Sequence, residues 1–295
     1  MVSVIVCSVN EQLFRSISEN IQQTIGVKYE IIRFDNTIHN VGIAEAYNAA
    51  AEKSVFPYLC FVHEDVRFKT KNWGEAAIAH FSRGNIGAIG LAGSIYKTSV
   101  VSSWWQPLID GLEPKRGSII QHYKHIQKAP EHVFFNPIDE IESPVVSLDG
   151  VFIFLGVDTW RDNKFDSTLI KGFHAYDLDF TVRVGAKQQV VVVYDILLDH
   201  YSEGTNDKDW FLGNVLVHQK LRNMLPIIIA GVDLAIVKKA EISYLRHNLG
   251  LIEGYNLTRS EKFILFTHMA RQILSQGINR EAVSLFRRLY NCLVN

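Results

Sequence analysis

Two rhythms of apolar and polar residues alternate along the first part of the chain. Short continuous apolar runs occur at Val2 to Cys7, Tyr29 to Phe34, Pro57 to Val62 and Ile86 to Leu91. Runs of this length, bounded by polar residues, read as strands buried on both faces. Between them the period changes. Leu13, Ile17, Ile21 and Ile25 recur every four residues, which predicts a helix over Gln12 to Ile25. Gly42 to Lys53, rich in alanine, and Trp73 to Phe81 read as two more helices. Strands separated by helices of this length imply βαβ units. The expected fold class is α/β, a mostly parallel sheet flanked by helices.

The regularity then fails. Ser94 to Ser147 holds five of the seven prolines (Pro107, Pro114, Pro130, Pro137 and Pro144) and the pair Trp104-Trp105. So long a stretch without clear elements reads as a functional loop or lid. Regular patterning returns at Val145 to Leu155 and at Gln189 to Leu198. From about Trp210 onward it is helical. Lys262 to Gln276 and Arg280 to Leu293 carry apolar residues at helical spacing, with Gly277 between them. Two parts are therefore expected: residues 1–213 as an α/β domain and residues 214–295 as a C-terminal helical extension.

Composition narrows the function. The chain has 295 residues, is 47% hydrophobic and has a formal charge of -1. That leaves no basic field for non-specific binding to nucleic acid. Cys7, Cys60 and Cys292 are odd in number and widely spaced. They read as free thiols in a reducing, cytoplasmic setting, not as a disulfide frame or zinc site. Val2 to Cys7 reads as a strand, not a signal peptide. The longest later apolar run, Leu225 to Val237, is interrupted by Asp233 and too short for a transmembrane segment. Peripheral membrane association stays open.

Candidate chemistry gathers where strands end, the place where open α/β sheets bind ligands. Tyr58 to Val62 runs into His63-Glu64-Asp65. A buried carboxylate there needs a cation, a donor or water. Asp35-Asn36 ends the second strand and is followed by Asn40, Gly42, Ala46 and Asn48. Glycine there admits close backbone approach to a ligand. Helix capping and packing explain the same residues. Leu148-Asp149-Gly150 precedes an apolar run, and a bulge or turn explains it equally. In Asp177-Leu178-Asp179 the second acid has Arg183 as an i,i+4 partner, which leaves Asp177 without a local one. Asp199-His200 closes the list of strand ends.

In order and spacing this set resembles the inverting glycosyltransferases of family 2, with the GT-A fold. The matching residues are Asn10-Glu11, Asp35-Asn36, Gly42 with Asn48, His63-Glu64-Asp65, Leu148-Asp149-Gly150, Gly172-Phe173, Asp177 to Arg183 and His200. They cover roughly the first 210 residues. His63 stands where the family usually has the first acid of its Asp-x-Asp, as in a His-x-Asp subgroup. Tyr176 stands where it usually has Glu.

The resemblance implies a nucleotide-diphosphate sugar donor, a UDP-sugar favoured, and a saccharide or lipid-linked hydroxyl acceptor. It implies Mn²⁺ or Mg²⁺ held by Asp65, with His63 and His200 as further ligands or as donors to the diphosphate. Asp35, Asn36, Gly42, Asn48 and the pair Asn10-Glu11 would line the nucleotide. Asp177 would be the general base. Asp149, Gly150 and Asp179 would lie near donor sugar or acceptor. Trp104 and Trp105 would form an acceptor platform, or else anchor their loop in the core. The tail, outside the resemblance, would govern assembly, including self-association, or acceptor access, or else complete the core.

Two other readings fit parts of the pattern. One is a sugar-phosphate nucleotidyltransferase, which would need a Gly-rich basic loop where Val9 to Gln12 stands. The other is a degenerate sugar-nucleotide-binding scaffold.

Overall fold

The computed structural model describes residues 1–124, 126–202, 204, 206–277 and 280–293. Its first elements follow the predicted alternation: β1 (Val2–Ser8), α1 (Glu11–Thr24), β2 (Tyr29–Asp35), α2 (Asn36–His39), α3 (Ile43–Ala51), β3 (Tyr58–Val62), β4 (Val66–Phe68), α4 (Trp73–His80) and β5 (Ile86–Gly90). The middle of the chain holds β6 (Ala92–Ser94), β7 (Tyr96–Lys97), β8 (Lys115–Gln121), β9 (Glu131–Phe135), β10 (Glu142–Val145), β11 (Ser147–Leu148) and β12 (Phe152–Gly156). Then come α5 (Val157–Asn163), α6 (Tyr176–Gly185), β13 (Gln189–Val193), β14 (Leu198–His200), α7 (Lys208–Leu221) and β15 (Ile227–Ile228). The chain closes with α8 (Leu234–Glu253), α9 (Arg259–Ser275) and α10 (Arg280–Leu293).

The main sheet runs β10-β13-β5-β12-β3-β1-β2. The βαβ part pairs in parallel, β1 with β2 and with β3, and so does β5 with β13. β12 runs antiparallel between β3 and β5, and β10 antiparallel at the edge. Side chains alternate across the sheet with period two. Ile5 and Phe61 face a core shared with Tyr47 of α3 and Phe180 of α6. Val4, Val6 and Cys60 face a second core shared with Ile21 of α1 and Trp73 of α4.

A second sheet, β11-β6-β8-β14-β4 with β9 beside β8, corrects the reading of residues 94–147 as a long loop. The prolines there punctuate strands. Pro114 and Pro130 immediately precede β8 and β9, and Pro144 lies in β10, an edge strand that tolerates it. The run Val145 to Leu155 also divides, into β11 and β12, at Asp149-Gly150.

The boundary expected at 213/214 falls inside α7. Val217 and Leu221 of that helix pack in the first core, while Phe211 and Val215 pack with the tail helices. The tail buries its apolar faces on itself and on Val100-Val101. Hydrogen bonds bolt it there. Asn248 Nδ2 donates to the Val101 carbonyl (2.9 Å) and Gln272 Nε2 to that of Ser99 (2.8 Å). Glu241 accepts from the Ser99 amide at 2.8 Å. Among the described residues no helix is long and apolar enough to cross a membrane.

Candidate active site

Direction and register bring distant residues to one edge. β12 runs against β3, with Phe152 opposite Val62, so Asp149-Gly150 at its start lies where β3 ends. The His63 amide donates to the Val151 carbonyl at 3.2 Å. β14 pairs with β4 so that His200 faces Val66, and the Tyr201 amide donates to the Asp65 carbonyl at 2.9 Å. Asp65 Oδ1 therefore lies 4.0 Å from His63 Nδ1 and 3.8 Å from His200 Nε2. Burial pushes the Asp65 carboxyl up, but the two rings beside it, with hydrogen bonds from Ser202 and the backbone, together hold it below its ordinary value.

His63 and His200 open onto a cavity of about 550 Å³, within the ~300–1,000 Å³ usual for ligand sites. Asp149, Gly150, Tyr176 and Asp177 line it from the strand ends and the start of α6. Trp104, Trp105 and Phe135 line it from the 94–147 segment, and Trp210, Asn214, Tyr244 and His247 from α7 and α8. The Tyr244 hydroxyl donates to the Trp105 carbonyl, so a tail helix fixes part of this wall. Lys115 lies over the Trp105 ring, 4.4 Å from its centroid, while that ring stays 44% exposed.

Asp177 is lodged among protein atoms and keeps an opening to the cavity. Burial first, and the neighbouring Asp149 second, push its carboxyl up to about 7. The Gly150 amide donates to it at 3.1 Å. A carboxyl that titrates near neutrality can take and release protons at working pH.

Residues 3–220 match the family described as "Glycosyltransferase like family". The chain belongs to that family. None of the curated proteins matches it. Among solved structures it is similar to S. aureus TarS 1-349, at 14% identity and a TM-score of 0.54, covering 99% of this chain and 86% of that one. The same TarS fragment in complex with UDP aligns at 13% identity, TM-score 0.54, over 99% and 86%. The mannosyltransferase PcManGT from Pyrobaculum calidifontis, in complex with GDP-Man and Mn²⁺, aligns at 10% identity, TM-score 0.51, over 100% and 80%. These likenesses establish the GT-A fold.

Within this glycosyltransferase-like chain the other candidates lie apart from the cavity lining. Asn10 caps α1, accepting from the amides of Gln12 (2.9 Å) and Leu13 (3.1 Å). Glu11 pairs with Arg15 and Arg33. Asp35 Oδ1 caps α2 through Thr37 at 3.1 Å, while Oδ2 has Arg33 at 3.7 Å. Asn36 exchanges two hydrogen bonds with the Val41 backbone. Asn48 ties Trp160 to the Phe165 backbone. A Cβ on Gly42 would stand 2.5 Å from the Lys171 carbonyl, so the close approach there is to protein backbone. Asp179 is fully buried between Arg183 (2.9 Å) and Lys220 (2.6 Å) and turned from the cavity.

Three contributors were not among the site residues expected from sequence. Glu64 accepts from the amides of Val9 (3.3 Å) and Asn10 (3.2 Å), tying the β1 loop to the His63 turn. Gln121 meets His200, and the Tyr176 hydroxyl meets His63. The signals for them were the place of Glu64 inside the His63–Asp65 motif and that of Tyr176 beside a candidate base.

The residues present fit a divalent cation. His63, Asp65 and His200 offer two nitrogens and an oxygen, all within 4.8 Å of one another. Their side chains are 31%, 21% and 13% exposed, so the group can be reached from solvent. One carboxylate with two imidazoles suits Mn²⁺ better than Mg²⁺, which prefers oxygen.

Proposed function

We propose that this protein is an inverting, metal-assisted glycosyltransferase of hexosyl type that uses a nucleoside-diphosphate sugar and a saccharide or lipid-linked hydroxyl acceptor. The observation that carries the reading is the placement of Asp177 and the His63–Asp65–His200 group on one cavity. A base and a place for the diphosphate are what a single displacement requires. A UDP-sugar is the favoured donor, because the similar TarS fragment was solved with UDP. The GDP-Man complex of PcManGT makes GDP-sugars the next class to test. A cytoplasmic site of action fits three cysteines that form no disulfide with one another.

Asp65, His63 and His200 would hold the cation, which when bound neutralises charge on the departing diphosphate. The acceptor oxygen bonds to the anomeric carbon as the bond from that carbon to the diphosphate oxygen breaks. The electron pair leaves with the nucleoside diphosphate, and the hydroxyl proton passes to Asp177. Attack opposite the leaving group inverts the anomeric carbon. Asp149 raises the proton affinity of Asp177 and lies with it on the cavity. Trp104 and Trp105, with Tyr244 behind them, offer apolar faces to an acceptor sugar. Asp35 Oδ2 and the Asn10-Glu11 turn would receive the nucleoside.

The test is a thermal-shift screen of UDP- and GDP-sugars with and without Mn²⁺. A true donor raises the unfolding temperature in proportion to its affinity. Asp65→Ala is expected to fold normally and to lose the Mn²⁺-dependent part of that shift. A parent protein that no nucleotide stabilises, with or without the cation, refutes the reading.

A further inference from the structure

His63 and Tyr176 lie 113 positions apart in sequence and touch. The Tyr176 hydroxyl is 2.9 Å from His63 Nε2 and 3.2 Å from the Gly150 carbonyl oxygen. A phenol has one hydrogen, and a carbonyl has none to offer. With that hydrogen on Gly150, the phenol oxygen accepts from His63. The His63 proton is then on Nε2, and Nδ1, the atom facing Asp65, has its lone pair exposed. The opposite tautomer would aim an N–H at Asp65 across 4.0 Å, too far for a hydrogen bond, and take the phenol hydrogen from Gly150.

His200 is set in the complementary sense. The Gln121 amide nitrogen donates to the carbonyls of His122 (2.7 Å) and Ser202 (2.8 Å), which orients its oxygen toward His200 Nδ1 at 3.1 Å. That oxygen only accepts, so His200 has its proton on Nδ1 and its lone pair on Nε2, again the atom facing Asp65. Gly150 belongs to the same device. A methyl group there would overlap the Tyr176 hydroxyl, so the missing side chain is the seat of the phenol.

We propose that Tyr176 is a positioning residue for His63: its phenol fixes the tautomer of that ring, and the resulting N,N,O set selects Mn²⁺ over Mg²⁺. The proposal rests on the metal reading given above. Outer partners of this kind typically contribute about 10–100-fold to metal affinity.

The test joins spectra of the metal-free protein to calorimetry. Long-range ¹H–¹⁵N spectra of histidine-labelled parent are expected to show His63 protonated on Nε2 and His200 on Nδ1. Tyr176→Phe removes only the hydroxyl. It should free the His63 tautomer, leave that of His200 unchanged and weaken Mn²⁺ binding by about 10–100-fold. The Mg²⁺ affinity should change less, so the ratio of the two falls. In a His63→Ala background the same change should cost nothing further, because the ring it positions is gone. Parental Mn²⁺ affinity in Tyr176→Phe, or an equal loss in the His63→Ala background, overturns the proposal. A parent that binds no Mn²⁺ overturns the metal reading and the selectivity with it. The tautomer spectra, which need no metal, then decide the Tyr176–His63 bond alone.

Discussion

Residues 9–48 and residues 63–200 supply the carboxyl edge of the main sheet with the same kinds of side chain. Each stretch has acids, an amide or imidazole, and a glycine in close contact. In the first, the polar atoms serve the fold. Asn10 and Asp35 cap helices, Asn36 closes a turn on Val41, and Asn48 ties Trp160 to Phe165. In the second, His63, His200, Asp149 and Asp177 keep atoms directed at a cavity. The difference follows from direction. Helices follow β1 and β2 at once, and their free amides recruit the nearest side chains. After β3 the chain turns into β4, and β12 returns antiparallel, so no helix begins beside Asp65 or Asp149, while Asp177, in the first turn of α6, still opens onto the cavity.

The largest expected effect lies on the cavity side. Asp177→Asn keeps shape and removes the proton acceptor. Turnover should fall by roughly 10²–10⁴-fold with donor affinity nearly unchanged. In the parent, the rate should fall as pH drops through about 7, where Asp177 takes up its proton. Stability runs the other way. A carboxyl whose folded value is raised favours folding when protonated, so that contribution is lost as pH rises from the ordinary carboxylate range through about 7. Asp177→Asn should therefore unfold at a higher temperature than the parent at pH 8, and differ less at pH 5. A variant with parental turnover moves the base to Asp149.

On the other side of the comparison a change should cost stability and spare function. Gly42→Ala forces a methyl against the Lys171 backbone. Such overpacking costs about 1–3 kcal/mol. Denaturant unfolding should show the loss, while calorimetry should give parental nucleotide affinity. A large affinity loss without a stability loss would place Gly42 against the ligand and dissolve the contrast.

The parts that could be read from sequence share one property, locality. The strands at Val2, Tyr29, Tyr58 and Ile86 and the three helices expected between them show in runs of five to fourteen residues, within which period alone decides. Asp65 and Asp177 showed as acids at the edges of such runs. β8 and β9 were hidden because prolines open them and β9 is mostly exposed, without a clean alternation. Docking of the tail was hidden because Val100-Val101, two residues in a proline-rich stretch, have no period to detect. The His63–Tyr176 contact was beyond reach for a different reason. The two lie 113 positions apart, and only the fold brings the Tyr176 hydroxyl to 2.9 Å from His63 Nε2.

The smallest expected effect tests whether the contrast is absolute. Asp35 has one oxygen on Thr37 and the other only 3.7 Å from Arg33, so one acceptor remains for a ligand. The adjacent Asn36 and the later Asn48 have both side-chain polar atoms engaged. Asp35→Ala is therefore expected to weaken nucleotide binding by roughly tenfold, the scale of one hydrogen bond to a charged group. Asn48→Ala should leave nucleotide affinity alone. Calorimetry with UDP and Mn²⁺ on both variants reads the difference. If Asp35→Ala binds like the parent, its carboxylate is a helix cap alone, and recognition of the base must come from backbone groups of the β1 and β2 loops. If both variants lose affinity equally, the loss reflects damage to the fold, and Asp35 has no direct part in binding.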